Sequence, residues 1–217
     1  MPRRSKLLSG PLLAAACLAL VSCRGGDEDA QTKAHPAFVE RIQPADFSAV
    51  EALLPENLSR TCDIVVISTS EGRADEAIGI RRAGDSCGIV LVAGSSGSGA
   101  AARGPVRIEV PFDPRSAAQL RQAFMVKLHR NVFLSDHTRK ASECANAHWI
   151  LLQGEPPIAA LIDAERVAAS SDGAAFMKAL VDALFRYATC EPEERGKLLL
   201  AIDRASIRVN LEETARR

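Results

Sequence analysis

With 27 basic and 27 acidic residues among 217, the chain carries no net charge and offers no basic stripe that nucleic acid would recognise. Aromatics make up 4% of it, with one Trp and one Tyr. That counts against a dedicated glycan-binding surface, which stacks sugar rings on flat side chains.

The first element in chain order is an export segment. Arg3, Arg4 and Lys6 precede Leu7 to Val21, which is apolar apart from Ser9, Gly10 and Pro11. A positive head followed by an apolar stretch too short to span a bilayer is the layout of a secretory signal. Leu20-Val21-Ser22-Cys23 then resembles the lipobox of bacterial lipoproteins, Leu-x-small-Cys. The resemblance covers this segment alone. It implies cleavage before Cys23, lipidation of Cys23 (palmitate among its acyl chains) and a membrane anchor. In a Gram-negative cell, Arg24 rather than Asp after that cysteine implies sorting to the outer membrane, facing the periplasm. Residues 1–22 are thus expected to be a signal peptide and 23–36 a lipidated tether. Residues 37–217 are expected to form a single α+β domain. The chain from Cys23 onward has 24 basic and 27 acidic residues, a net charge of −3. It is long enough for one well-formed core.

Arg24 to Pro36 is Gly-rich and charged, without apolar periodicity, and reads as a flexible tether. Pro44-Ala45-Asp46 opens a short helix with Phe47, Val50, Leu53 and Leu54 on one face, closed by Pro55. Ile64 to Ile67 and Ile89 to Val92 are buried-strand runs. Ile78 and Ile80 form a weaker run closed by Ala83-Gly84-Asp85. Val106, Ile108, Val110 and Phe112 alternate with Arg107, Glu109 and Pro111, a strand that Pro111 pushes toward an edge. Asp113-Pro114 caps a helix carrying Ala117, Leu120, Phe124 and Leu128. The spacing predicts a second helix over 136–153, with Ala141, Cys144, Ala145, His148, Leu151 and Leu152 on one face. Ile158, Leu161, Ile162 and Val167 make a looser third helix, or begin as a strand. Phe176 to Ala188 keep a period near 3.6 after the Asp172-Gly173 turn. Pro192-Glu193-Glu194 opens another helix. Ile207, Val209 and Leu211 alternate as a closing strand. The fold class is therefore α+β: a small, mostly antiparallel sheet from residues 62–112 packed against a helical C-terminal half.

The even set Cys62, Cys87, Cys144 and Cys190 in an exported chain reads as two disulfides. Of three possible connectivities, Cys62–Cys87 with Cys144–Cys190 ties each half to itself. After the Ile89–Val92 strand, Gly94, Ser95, Ser96, Gly97, Ser98 and Gly99 are a candidate anion-binding loop. Ala100-Ala101 stands where a P-loop needs Lys-Ser/Thr, and no dinucleotide-binding helix follows. No cofactor is expected. Cys144 and His148 lie four apart, a spacing that can share a metal on a helix, but a bonded Cys144 has no thiolate to give, so no metal is expected either. His129 and His137 complete the histidines of the helical half. No G-x-S-x-G elbow is present, and Glu71 with Asp75, or Glu193 with Glu194, read as solvent-facing charges.

The expected function is a non-catalytic, periplasm-facing lipoprotein acting as a binding, assembly or inhibitor module of the cell envelope. Its partners are the membrane, through the lipid anchor, and an envelope protein. The alternative is an envelope enzyme with a site near the Gly94–Gly104 loop and the His-bearing helices.

Overall fold

An eight-stranded sheet, covered on both faces, forms the body of the computed structural model. The structure describes residues 39–94, 105–134, 146–163 and 172–215. In chain order the elements are β1 (Val39–Ile42), α1 (Pro44–Glu51), β2 (Ile64–Ser70), β3 (Arg73–Ala83), β4 (Ser86–Ala93) and β5 (Val106–Phe112). Then come α2 (Pro114–Asn131), β6 (Val132–Leu134), β7 (Asn146–Leu152), β8 (Ile158–Asp163), α3 (Asp172–Thr189) and α4 (Pro192–Thr214). The strand order is β5-β4-β3-β2-β7-β8-β1-β6. Every neighbouring pair is antiparallel except β1 with β6. The fold is α+β, as the sequence pattern predicts.

The meander β2 to β4 forms because its turn residues fit two-residue hairpins. Glu71 (φ 48°) and Gly72 (φ 76°) supply the paired positive φ values that a type I′ turn requires. Gly84 (φ 60°) takes the first central position of the next turn, where glycine is also demanded. Between the turns, β-branched and aliphatic residues alternate across the pleat. Ile64, Val66, Ile78, Ile80, Ile89 and Leu91 point to one face. Val65, Ile67, Ala77, Val90 and Val92 point to the other.

The first face is covered by α2, α3 and α4 through residues such as Leu120, Phe124, Leu180, Leu184 and Ile202. The second is covered by α1 and the chain that follows it, with Phe47, Val50, Leu54 and Leu58 buried. Toward β5 that second face turns polar. Arg81 pairs with Glu109, Glu109 with Arg107, and Arg107 with Glu56. Asp113 caps α2 as expected: Ser116 N–H donates to Asp113 Oδ2 at 2.7 Å and the Ser116 hydroxyl to the same oxygen at 2.9 Å. These bonds hold the Asp113 carboxyl below its ordinary pKa, the backbone donor contributing most.

Two predicted elements differ, and a third takes the second of its two readings. The helix expected over 136–153 is a strand from Asn146 onward, β7, and residues 135–145 lie outside the described residues. The stretch from Ile158, read as a looser helix or the beginning of a strand, begins as strand β8 through Asp163. The reason is burial on both faces: Trp149 and Leu151 fill one core while Ile150 and Leu152 fill the other, so a central strand presents the near-continuous apolar run that a buried helix also shows. The closing strand is instead the last half of α4, a 23-residue helix. Its Val209 is buried, while Ile207 and Leu211 are exposed on the opposite side. The sheet therefore reaches well beyond residues 62–112, recruiting β1 ahead of them and β6 to β8 after them.

Candidate functional site

The polar cluster with the most chemical content lies where β2 and β7 run beneath α3. Pairing register sets Ala93, Glu76, Ser68, His148 and Ile162 side by side across five strands. Side-chain alternation aims this row at the helical face, one step beyond the apolar rows of Val66 and Ile150. Ser68 Oγ lies 2.9 Å from His148 Nδ1. His148 Nε2 lies 3.9 Å from Asp182 Oδ1 on α3. Lys178, one turn earlier on α3, donates to Asp182 Oδ2 at 2.6 Å. Directly beneath, on the opposite face, Trp149 Nε1 donates to Thr69 Oγ1 at 3.1 Å.

Burial pushes the His148 pKa down, and Lys178 pushes the same way, while Asp182 partly opposes them. The ring is therefore neutral at pH 7. Asp182 favours the tautomer with the proton on Nε2, so that Nδ1 accepts from the Ser68 hydroxyl. Glu76, next to Ser68 in the row, has its carboxyl pKa raised, chiefly by burial and secondarily by Asp75.

Ser, His and Asp are the residue types of a nucleophilic triad. Their arrangement departs from one in three respects. At 3.9 Å the His148–Asp182 contact is too long for a hydrogen bond. Lys178 already holds the Asp182 carboxylate. Ser68 sits within a strand paired on both sides, where no strand-to-helix elbow presents its hydroxyl. The contact gives the half-buried Ser68 hydroxyl and His148 ring a hydrogen-bond partner under α3.

Two depressions lie elsewhere. A cleft of about 300 Å³ is lined by Arg41, Ile42, Gln43, Pro44, Pro156, Pro157 and Ala159. A shallower one of about 230 Å³ is lined by Arg81, Ser86, Cys87, Glu109 and Pro111 among others. Neither touches Ser68 or His148.

Of the candidate anion-binding loop only Gly94 is described, and its N–H donates to Asp75 O at 3.0 Å. Ser95, Ser96, Gly97, Ser98 and Gly99 lie outside the described residues, as do Cys23, His137 and Cys144. His129 is exposed near the end of α2. His148 is in a strand, so the helical Cys144–His148 spacing does not apply. Among the described residues no three His, Cys, Asp or Glu side chains gather as a metal site.

The Cys62–Cys87 disulfide is corrected: both are buried free thiols. Cys62 belongs to the core beneath α1 and Cys87 to the core beneath the helical layer, so β3 and the thickness of the sheet separate them. Burial raises both thiol pKa values. Cys190 is also a free thiol and donates to Tyr187 O at 3.6 Å. Pairing from Cys144 would rest on a residue outside the described set.

Sequence patterning places His148 on an apolar face but not in contact with Ser68 or Asp182, which lie 80 and 34 residues away. The one local signal was Lys178 and Asp182 at i, i+4 on a clear helix. Compared with protein-family models, curated proteins and solved structures, the chain matches none of them.

Proposed function

We propose that the protein is a non-catalytic, lipid-anchored module of the cell envelope, held at the outer membrane facing the periplasm and acting by binding a protein partner in assembly or inhibition. The observation that carries this reading is Leu20-Val21-Ser22-Cys23 directly after an apolar run with a basic head. The Ser68–His148–Asp182 arrangement adds support, because its distances and the Lys178 clamp suit a structural role better than catalysis. The test compares wild type with Cys23→Ala in envelope membranes. Wild type is expected to incorporate labelled palmitate, stay in the membrane fraction and crosslink a discrete envelope protein. Cys23→Ala is expected to lose the label and the membrane retention. Undiminished palmitate incorporation in Cys23→Ala refutes the anchor.

One observation favours a second reading, an envelope enzyme. The 2.9 Å contact between Ser68 Oγ and His148 Nδ1 lies at the sheet end where Gly94 begins the Gly-rich loop. Triad contacts can also tighten when substrate binds. Labelling by a fluorophosphonate that disappears in Ser68→Ala would establish it. Absence of labelling in folded wild type removes it.

A further inference from the structure

Helix α4 is apolar on two opposite sides. Ile202 and Val209 are 1% and 3% exposed and face the body of the protein. On the far side, Lys197, Leu200, Arg204, Ile207 and Leu211 follow one another at spacings of 3, 4, 3 and 4, which puts them in a single outward line. Leu200, Ile207 and Leu211 are 50%, 39% and 63% exposed, three of the five large exposed hydrophobics among the described residues. Lys197 and Arg204 stand in the same line, both exposed, and neither has a hydrogen-bond or ion-pair partner for its charged group among the described residues. The neighbouring Arg208 is paired with Glu212 at 3.0 Å.

Three occupants fit an apolar line of this kind: a second copy, another protein or a lipid surface. A second copy fits poorly. Two such lines face to face and antiparallel would bring the unpaired Arg204 cations together in the seam. Three half-exposed side chains also fall well short of the roughly 800 Å² per partner of a standard protein interface. Leucine and isoleucine interleaved with unpaired Lys and Arg suit a phospholipid surface. There the apolar side chains enter the headgroup–acyl boundary while long cationic side chains reach the phosphates.

We infer that the outer line of α4 docks on an anionic phospholipid surface, with Leu200, Ile207 and Leu211 inserted and Lys197 and Arg204 against lipid phosphates. This deepens the lipid-anchored reading, on which it rests only for proximity. The 13 tether residues from Arg24 to Pro36 span at most about 45 Å, so the domain stays within reach of the leaflet. Docking would fix which side of the sheet faces away from the membrane. Glu193 continues the line at its N-terminal end, so the contact centres on Leu200 to Leu211.

The test uses the full chain with a benzophenone amino acid replacing Leu211, and in a second protein Ile207. Ala49, exposed on α1, serves as the control position. Photolysis is done in envelope membranes, then in phosphatidylcholine vesicles with and without phosphatidylglycerol. The expected result is a phospholipid adduct from 207 and 211 at several times the yield from 49, rising several-fold with phosphatidylglycerol. Lys197→Glu combined with Arg204→Glu should cut the yield several-fold while palmitate labelling is unchanged. Adducts to another protein, to a second copy, or to lipid regardless of headgroup charge overturn the inference. Because palmitate on Cys23 is read separately, failure of the anchor and failure of α4 docking give different results.

Discussion

Gly79 in β3 gives the sharpest test of how the second core is packed. A Cβ at this position would lie 2.5 Å from Cys62 Sγ, 3.1 Å from Cys62 Cβ and 3.3 Å from Leu58 Cδ1. The first distance is well inside contact, and both neighbours are buried, at 3% and 0% exposed, so neither moves into open space. Cys62 is further held by its N–H bond to Leu58 O at 2.9 Å. Overpacking of this kind costs about 1–3 kcal/mol. Relieving glycine's backbone freedom within a strand returns about 0.5–1 kcal/mol. With a first contact as short as 2.5 Å the upper part of that range applies, so Gly79→Ala should lose about 1–2 kcal/mol net, or about 2–8 °C in Tm for a domain of this size. Removing the sulfur makes room, so Cys62→Ala and Gly79→Ala together should cost about 1–2 kcal/mol less than the sum of the two. The assay is urea unfolding in reducing buffer, followed by the fluorescence of Trp149, the single tryptophan and fully buried. A neutral Gly79→Ala, or strict additivity, would refute the packing.

Two further predictions concern charge. His148 titrates below its ordinary value in the folded protein because burial disfavours the cation; the unfolded chain therefore binds a proton first, and stability should fall as pH drops below about 6.5, levelling off at the folded pKa. Unfolding midpoints of His148→Gln should lack that decline while keeping the opposite contribution of Glu76, whose raised pKa favours the folded state as its carboxylate takes up a proton; equal slopes in mutant and wild type would count against the buried neutral ring. Asp113→Ala removes the α2 cap and should cost about 1 kcal/mol at pH 7, and since the Asp113 carboxyl is held below its ordinary pKa, the difference from wild type should shrink as acid titrates it; a pH-independent difference would show that the carboxylate is not the cap.

Two kinds of element were legible in the sequence: those with one buried face, and the short β-branched runs of β2 and β4, which are buried on both. β5 alternates cleanly because Arg107 and Glu109 face a solvated ion-pair network while Val110 and Phe112 are buried. Its Pro111 lies on an outermost strand of the sheet order, as a residue without an N–H should. There the Tyr187 hydroxyl occupies the Pro111 carbonyl at 3.0 Å, which blunts the edge against further pairing. α3 was legible for the same reason: its apolar stripe from Met177 to Ala188 has a solvated opposite side. β7 was not: both its faces are core, and it lacks the β-branched density that marks β2 and β4 as strands. α4 failed in the reverse way. Its outward Ile207 and Leu211 bracket the inward Val209, so residues on opposite sides of a helix imitated one face of a strand.

The Ser68–His148–Asp182 cluster was illegible for a topological reason. β2 does not end its pairing with its sequence neighbour β3; its other edge is taken by β7, which arrives after β5, α2 and β6. The register Ser68↔His148 goes with the seating of Trp149: a slip of one residue would carry Trp149 and Leu151 out of the core beneath α1 and break the Trp149 Nε1–Thr69 Oγ1 bond. Trp149 thus fixes the position of its neighbour His148. Once the ring is aimed at the helical face beneath α3, it needs polar partners or an empty apolar setting, and Ser68 and Asp182 provide the former. The polar cluster is in this sense a consequence of packing, created where an apolar row gives way at the end of the core. That origin accounts for the geometry: the groups are placed by what surrounds them, and Lys178 binds Asp182 Oδ2 while Oδ1 lies 3.9 Å from the imidazole.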